Sequence, residues 1–547
     1  MRPFIKKLIA CLKHALGMEQ QHQKHYFVPG EMVFQVEHPD ATINDDSNKL
    51  VLQALRTFLT SDANFAKISD GPYKALSENW RNNIIPPEDA TQVITFSATE
   101  TAKPFSLVPV AIRAGQDVLA MLNDAVLELS AGPVNMEENF SLVSVSPNWV
   151  SSGLHHGGGT GGPGSWPKEA PKPTQNEIAF RFGQNSIHKL DVHKNSLAGK
   201  VIHVAILDTV PTSDMKARAM SILGPLSSAA LARPNSPEAL MQFVFGGNLT
   251  IHAIRPGNAT LANLAALTPP PFHYPIPDHG TFVAGIIRSV TTTANIHLHQ
   301  VLNEYGIGTL TSVSQGLHEA VNSWAKDKAA LLINCSFMFD TNLPAIVDLL
   351  RDPVTTQVLT RSMRDVFAWA TNRSNVVVVA AAGNDAQVNS RHYARFPAAF
   401  KKVLGVGALP KGNPVNAMGR YIPASYSNFA YSAPDNELPE DGFMVFGGEL
   451  DNPANPKAHY ATAGVLGIYL GGFPEENASG NIHIRPSSTG ALQNWAHWAG
   501  TSFSAPIITG LLAALAGNEP VDTSLVPPNN GPYLTAEGEN VIIAQQG

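Results

Sequence analysis

The chain has 547 residues, of which 44% are hydrophobic, with 37 basic and 44 acidic side chains and a net charge of −7. This composition supports a large buried core and excludes a globally disordered chain, and its acidic balance gives no electrostatic basis for binding nucleic acid or an anionic membrane. The two cysteines, Cys11 and Cys335, are too few for a disulfide framework or a cysteine-rich zinc site.

The first 25 residues form an N-terminal extension without a clear secretion signal. Its apolar stretch from Leu8 to Leu12 is shorter than a signal peptide requires and is followed by Lys13 and His14. We interpret it as a short basic amphipathic helix, which favours an intracellular location without establishing the compartment. No apolar run in the chain approaches 18 residues, so no membrane span is predicted.

Residues 26–150 are predicted to form a small α+β domain. Apolar residues recur at helical spacing in Val51–Leu59 and Val118–Leu129, whereas Gln92–Ser97 and Phe140–Val145 partly alternate like strands. Residues 151–173 are rich in glycine and proline and are predicted to form a linker. A phosphate-binding loop is the alternative for these glycines, but no Gly-Lys-Ser/Thr sequence follows them.

Residues 174–525 alternate apolar strands with amphipathic helices. Near-continuous apolar strands are typical of a parallel sheet that is covered on both faces. We therefore predict a doubly wound α/β domain with a mostly parallel sheet and helices on both faces, followed by a C-terminal tail over 526–547. The predicted strands are Val201–Leu207, Asn295–Leu302, Ala330–Cys335, Val376–Ala382 and Val403–Leu409, and the predicted helices are Thr309–Lys326, Ala345–Trp369 and Ser502–Ala516.

Three polar residues stand at the ends of these elements. Asp208 ends the first strand, His279 opens a predicted helix and Ser502 opens the last one. Functional residues of doubly wound sheets collect at the carboxyl ends of the strands, and Asp, His and Ser are the residue types that nucleophilic hydrolysis requires. Each residue taken alone has a structural alternative as a helix cap or a turn residue.

The sequence around these residues resembles the subtilisin-like serine proteases, the subtilase family of peptidase S8 type. Four motifs occur in that family's order, and together they make coincidence an inadequate explanation. The motifs are Val204-Ala-Ile-Leu-Asp-Thr209, His279-Gly-Thr-Phe-Val-Ala-Gly285, Ala381-Ala-Gly-Asn-Asp385 and Gly500-Thr-Ser-Phe-Ser-Ala-Pro506. The resemblance covers about residues 195 to 520, with long insertions over 213–271 and 433–493.

The resemblance implies a serine endopeptidase with an Asp-His-Ser triad. Ser502 is the implied nucleophile, His279 the base and Asp208 the residue that orients the imidazole. Asn384 is implied to donate its side-chain amide to the oxyanion, with the backbone N–H of Ser502 as a second candidate donor.

Two further segments resemble the strands that hold the family's substrates. An extended protein or peptide substrate is implied to lie between them as an added β-strand, held by main-chain hydrogen bonds. The family usually has glycine where this chain has Met338, so the sequence does not define which substrate side chain is preferred. The implied substrate-binding residues are Gly306, Ile307, Gly308, Ser336, Phe337, Met338, Ala382 and Gly383.

The resemblance also suggests a role for the N-terminal domain. Ser141–Val150 resembles the end of a subtilase propeptide, which implies an intramolecular chaperone or inhibitor that is released by self-processing between about Val150 and Pro173. An interaction domain that is never removed is the competing hypothesis. No cofactor is implied and no metal ligands are identified; structural calcium is common in the family, but the sequence does not locate it.

A catalytically inactive subtilase fold that binds peptides or acts as a scaffold is the alternative function. Two departures from the family support it, namely Met338 and Val210, the latter in place of a usual glycine. The presence of all triad residue types and of Asn384 opposes it. Other hydrolase classes are disfavoured, because the chain has neither a Gly-x-Ser-x-Gly elbow nor a His-Glu-x-x-His motif.

Overall fold

The structure is a computed structural model, and it falls into two compact units. One comprises residues 1–150, 309–318 and 340–373, and the other comprises 151–308, 319–339 and 374–547. The described residues are 27–39, 46–60, 80, 82–99, 103–116, 121–122, 129, 132–136, 140–152, 165–223, 236–253, 275–326, 328–339, 353–386, 391–431, 442–451, 462–476, 482–486, 494–527, 533–536 and 538–547. The helix predicted at Val118–Leu129 and residues 153–164 of the predicted linker therefore lie largely or wholly outside them.

The first unit contains an antiparallel sheet with helices. Its central strand β1 pairs with β4 on one side and with β6 on the other, while β2 and β3 pair with β4 and β5 pairs with β6. The elements are β1 (Phe27–Glu37), α1 (Ser47–Thr60), β2 (Ile84–Ile85), a 3₁₀ turn (Ala90–Gln92), β3 (Ile94–Phe96), β4 (Phe105–Ile112), β5 (Val134–Asn135), β6 (Ser141–Ser152) and, later in the chain, α9 (Pro353–Thr371).

The second unit is built on an eight-stranded sheet in which every neighbouring pair is parallel. Its strand order is β10-β11-β9-β13-β15-β16-β17-β22. These strands are β9 (Val201–Asp208), β10 (Thr250–His252), β11 (Asn295–Gln300), β13 (Ala329–Cys335), β15 (Val376–Ala381), β16 (Val403–Leu409), β17 (Gly442–Phe446) and β22 (Asn540–Val541). The five strands predicted from apolar runs are all present in it.

Further helices and short strands belong wholly or in part to the second unit. The helices are α2 (Gln175–Ile178), α3 (Gln184–Ile187), α4 (Asp191–Leu197), α5 (Ser213–Leu223), α6 (Pro237–Phe245), α7 (His279–Val290), α8 (Leu310–Trp324) and α10 (Thr501–Ala516), with a 3₁₀ turn at His188–Leu190. The remaining strands are β7 (Lys168–Ala170), β8 (Phe180–Phe182), β12 (Ile307–Thr309), β14 (Met338–Phe339), β18 (Val465–Ile468), β19 (Phe473–Glu476), β20 (Ile482–Arg485), β21 (Trp495–Trp498) and β23 (Ala544–Gln546).

Both faces of the parallel sheet are covered. Ile202 and Val204 of β9 pack into one core with apolar residues of α7 and α10. On the opposite face, the rings of His203 and His297 stack on Trp324 of α8, with centroids 4.7 and 3.9 Å away. Burial lowers the pKa of His297 to about 4, so this imidazole is neutral at pH 7 and packs as a flat, weakly polar ring. The predicted doubly wound α/β architecture is confirmed.

The insertions and the C-terminal segment extend this sheet. The first insertion supplies the edge strand β10, the second supplies β17, and the segment predicted as a tail supplies β22. Glu539, beside β22, is buried and forms an ion pair with Arg391 at 2.8 Å. Within the described ranges, no helix is long and apolar enough to cross a membrane.

Candidate active site

Asp208 lies at the carboxyl end of β9 and is fully buried. Its Oδ1 accepts hydrogen bonds from its neighbour Thr209 N at 2.7 Å and from His279 Nδ1 at 2.8 Å. The Thr209 hydroxyl donates to Pro277 O at 3.1 Å and accepts from Gly280 N at 3.0 Å. Thr209 therefore holds the loop that carries His279 against the strand that carries Asp208.

His279 begins helix α7 and is also fully buried. The next residue is Gly280, whose backbone is so close to β9 that a Cβ there would lie 2.2 Å from Thr209 O. The imidazole packs against Trp498 and Phe503, with ring centroids 5.4 and 5.5 Å away. Because Nδ1 faces a carboxylate, it carries the proton in the neutral ring, and Nε2 is left with its lone pair. This Nε2 has no hydrogen-bond partner among the residues that the structure describes.

Ser502 lies in the first turn of helix α10, beside Phe503. Its Oγ donates to Ser336 O at 3.1 Å, and the Ser336 hydroxyl donates back to Ser502 O at 2.7 Å. Asn334 Nδ2 donates to Ser336 Oγ at 2.8 Å, and Thr509 Oγ1 donates to Asn334 Oδ1 at 3.1 Å. This buried chain of hydrogen bonds fixes the start of α10 against the end of β13.

Asn384 follows β15, and its side chain is oriented by Thr501. Its Oδ1 accepts from Thr501 N at 2.9 Å and from Thr501 Oγ1 at 3.0 Å, and Gly383 N donates to Thr501 Oγ1 at 3.1 Å. Since Oδ1 is occupied by these donors, Nδ2 is the end of the amide that is directed away from Thr501. The side chain is thus arranged as a hydrogen-bond donor immediately beside the residue that precedes Ser502.

The implied substrate-binding residues lie on three segments of the second unit. Ile307 and Gly308 belong to β12, after a tight turn in which Gly306 has a φ of +72°, and Asn303 Oδ1 accepts from Ile307 N at 3.0 Å. Ser336 and Phe337 link β13 to Met338 of β14, while Ala382 and Gly383 follow β15.

Ser151 and Ser152, the two residues of β6 that belong to the second unit, lie against two of these segments. Ser152 and Ser151 pair antiparallel with Met338 and Phe339 of β14. A Cβ built on Gly308 would lie 2.8 Å from Ser151 Oγ, so β12 approaches the same two residues. A short extended segment of this chain therefore lies where the sequence predicts that an extended substrate binds.

Asp278 is a buried carboxylate next to His279 that was not predicted from the sequence. Its Oδ2 accepts from Leu470 N at 2.8 Å and from Gly471 N at 2.9 Å, which attaches the second insertion to the start of α7. Burial raises the pKa of Asp278 to about 6, although these backbone donors favour its charged form. Its place beside His279 in the sequence is the signal by which it could have been noticed.

Thr209 and Thr501 were also not predicted. Both are buried, and each lies next to a predicted site residue. Thr209 accepts a hydrogen bond from the backbone N–H of Gly280, and Thr501 donates to the side-chain amide of Asn384. Such neighbouring polar residues look like ordinary turn residues in a sequence. Over the described part of the chain, no group of three or more His, Cys, Asp or Glu side chains is arranged to hold a metal ion.

Comparisons with known proteins relate a large part of this chain to one protein family. The family model Peptidase_S8, the subtilase family, matches residues 266–525, which include His279, Asn384 and Ser502. Subtilisin DY from Bacillus licheniformis is 29% identical over 225 residues, which cover 39% of this chain and 69% of that protein.

Two solved structures are also similar in part. Sphericase is 16% identical, with a TM-score of 0.29, over 60% of this chain and 81% of its own. S41 Psychrophilic Protease is 15% identical, with a TM-score of 0.30, over 59% of this chain and 78% of its own. The match to the family model and the similarity to a curated subtilisin identify residues 266–525 as a region of subtilase type.

Proposed function

We propose that the protein is a serine endopeptidase whose triad is Asp208, His279 and Ser502. The match of residues 266–525 to the subtilase family model and the similarity to a curated subtilisin support serine peptidase activity in general. The observation that carries the finer assignment is the buried contact of 2.8 Å between Asp208 and His279, whose ring packs on the residue that follows Ser502. An Asp-bound imidazole beside a serine at a helix start is the arrangement that serine hydrolysis needs.

In the proposed reaction, His279 Nε2 removes the proton of Ser502 as Oγ attacks the substrate carbonyl. Asp208 holds the neutral ring with Nε2 unprotonated and then stabilises the imidazolium. The Ser502 hydroxyl is bonded to Ser336 O in the present structure, so rotation about its Cα–Cβ bond redirects it to His279. Such contacts commonly tighten only when the substrate is bound. His279 then passes the proton to the leaving amine.

Charge on the substrate oxygen is stabilised by Asn384 in this proposal. Its amide is held ready by Thr501, so donating to the oxyanion requires no reorganisation of the side chain. The substrate strand lies between β12 and β14, as the residues Ser151 and Ser152 do here. Main-chain pairing of this kind tolerates many side chains, which suits an endopeptidase.

A fluorophosphonate probe tests this proposal directly. We expect covalent labelling of the wild type and none of Ser502→Ala, because only an activated serine reacts. Ser504→Ala is the matched control: Ser504 is buried in the same helix and its hydroxyl contacts Val445 O, outside the triad. Mass spectrometry of the labelled peptide measures the result. If neither the wild type nor Ser504→Ala is labelled, the inactive peptide-binding alternative is favoured.

We further propose that the chain cleaves itself in the predicted linker, between about Val150 and Pro173. Ser152 pairs with Met338 in an antiparallel register. Ser336, two residues before Met338, carries the backbone oxygen that Ser502 Oγ contacts, at 3.1 Å. The end of β6 is thus paired with the segment whose carbonyl group contacts the proposed nucleophile.

Intact masses of the wild type and of Ser502→Ala measure this self-processing. We expect the wild type to yield a new N-terminus between about Val150 and Pro173 and Ser502→Ala to remain whole. A new N-terminus outside that range would refute the linker as the processed segment, and equal masses would refute self-processing altogether.

A further inference from the structure

Four histidines form a group of contacting rings at the β10 edge of the parallel sheet. They lie on the sheet face that Trp324 of α8 covers, and they are His203 of β9, His252 of β10, and His297 and His299 of β11. The ring of His252 lies flat on that of His299, with centroids 4.3 Å apart. His203 Nδ1 and His297 Nε2 are 3.1 Å apart, so one of these rings donates a hydrogen bond to the other. We call these four residues the histidine cluster.

Several ring nitrogens of the histidine cluster are buried without a hydrogen-bond partner among the residues that the structure describes. They are His252 Nε2, His297 Nδ1 and both nitrogens of His299. A neutral imidazole carries one N–H group, whereas the protonated ring carries two and a positive charge. Because these nitrogens lack acceptors, a proton added within the closed sheet would bury a charge without a partner, which is costly. The closed cluster therefore requires neutral rings.

The surroundings of the histidine cluster favour the neutral rings as well. Burial lowers the pKa of all four imidazoles, and that of His299 falls to about 3. Two charged side chains act on the cluster: Lys326 lowers the pKa of His203 further, while Glu319 opposes the effect of burial at His252. The groups that act on His299 are other histidines of the cluster, which also lower its pKa.

The direction of the pH dependence follows from these lowered pKa values. A histidine that becomes exposed regains a pKa near 6.5, so between about pH 3 and pH 6.5 the opened sheet binds a proton at His299 that the closed sheet does not. Protons therefore stabilise the opened form. The stability that the neutral cluster contributes is fully present above about pH 6.5 and is lost progressively as the pH falls.

β10 is the strand that protonation of the cluster would release. It has three residues, and in the order of the sheet it is an edge strand that pairs with β11. Ile251 is only partly buried where it packs on the core of the other face, and His252 lies on His299. Two protonated rings at these paired positions would place like charges directly opposite each other, which destabilises strand pairing.

β11 connects this edge of the sheet to the candidate active site. Its last residue, Gln300, pairs with Asp208, and Asp208 O accepts from Val301 N at 2.9 Å. The chain then reaches Asn303, whose Oδ1 accepts from Ile307 N of the implied substrate-binding segment at 3.0 Å. A change in the packing of β11 therefore acts on the strand that carries Asp208 and on the segment that precedes Ile307.

We propose that the histidine cluster is a pH-sensitive switch that opens the β10 edge of the sheet in mildly acidic solution. His299 becomes exposed when β10 leaves, and we expect its protonation to raise the opening equilibrium by about 30-fold between pH 7.5 and pH 5. The consequence for peptidase activity rests on the proposed function, whereas the opening of the edge does not.

Hydrogen–deuterium exchange of the full-length chain measures this opening at pH 7.5 and pH 5, after correction for the intrinsic exchange rate at each pH. All proteins carry Ser502→Ala, so that self-cleavage does not affect the result. We expect the protection of amides in β10 and the adjoining β11 to fall by about 30-fold at pH 5, while β15 in the middle of the sheet changes much less. Equal protection of β10 at both pH values, or an equal fall in β15, would overturn the proposal.

His299→Phe identifies the residue that responds to the pH. Phenylalanine keeps a ring against His252 but takes up no proton, so we expect β10 to lose most of its pH dependence. His188→Gln is the matched control, because the side chain of His188 is 64% exposed and lies outside the cluster. This variant is expected to behave like the parent protein. A full fall in protection in His299→Phe, or in the smaller His299→Gln if phenylalanine prevents folding, would contradict the switch.

Discussion

Replacing Asp208 by asparagine is expected to lower kcat by about 10⁴-fold with little change in KM. The amide of asparagine offers an N–H group to His279 Nδ1, which favours the tautomer with the proton on Nε2. His279 then has no lone pair with which to take the proton of Ser502, and the negative charge that stabilises the imidazolium is lost. Both effects arise only as the reaction proceeds, so substrate binding is largely unaffected.

Asp278→Asn is the matched comparison for this substitution. Asp278 is equally buried and adjoins His279 in sequence, but its carboxylate accepts from the backbone of Leu470 and Gly471. An asparagine oxygen accepts the same two bonds, so we expect a loss of less than about 10-fold. Steady-state kinetics at pH 7.5 with one fluorogenic peptide measure both variants. Equal losses would show that Asp208 has no special role.

The central strands of the fold could be predicted because they are buried on both faces. In the run Val201–Leu207 and the run Val376–Ala382, nearly every residue is apolar and many are β-branched, and short runs of this composition are typical of strands in a covered parallel sheet. Candidates for the triad could be chosen from the sequence for a related reason. They stand at the carboxyl ends of such strands or at helix starts within distinctive local motifs, so position and residue type point to the same chemistry.

The added strands could not be predicted from local sequence. β10 has three residues and β22 only two, and each is a strand only because it pairs with a distant partner. The contacts of Thr501 could not be predicted for the same reason, because its hydrogen bonds to Asn384 and Gly383 join segments that are distant in the chain.

Gly280→Ala is expected to destabilise the protein and to inactivate it. The new methyl group would lie 2.2 Å from Thr209 O, a backbone atom that no side-chain rotation can move aside. Helix α7 must therefore shift away from β9, which breaks the bond from Gly280 N to Thr209 Oγ1 and lengthens the one between Asp208 and His279. We expect a loss of about 3 kcal/mol of stability. A displacement of about 1 Å also lowers the rate of Ser502 labelling by about 100-fold.

Gly285→Ala in the same helix distinguishes this clash from a general effect of the substitution. At Gly285 the nearest atom to a new Cβ is Ile468 Cδ1 at 3.8 Å, an ordinary contact. Alanine is favoured over glycine inside a helix by about 0.5–1 kcal/mol, so this variant is expected to unfold at a slightly higher temperature and to be labelled at the wild-type rate. Lower stability of Gly280→Ala together with higher stability of Gly285→Ala would show that the constraint lies where α7 contacts β9, beside Asp208 and His279. A Gly280→Ala protein as stable and reactive as Gly285→Ala would show that this close approach is not required.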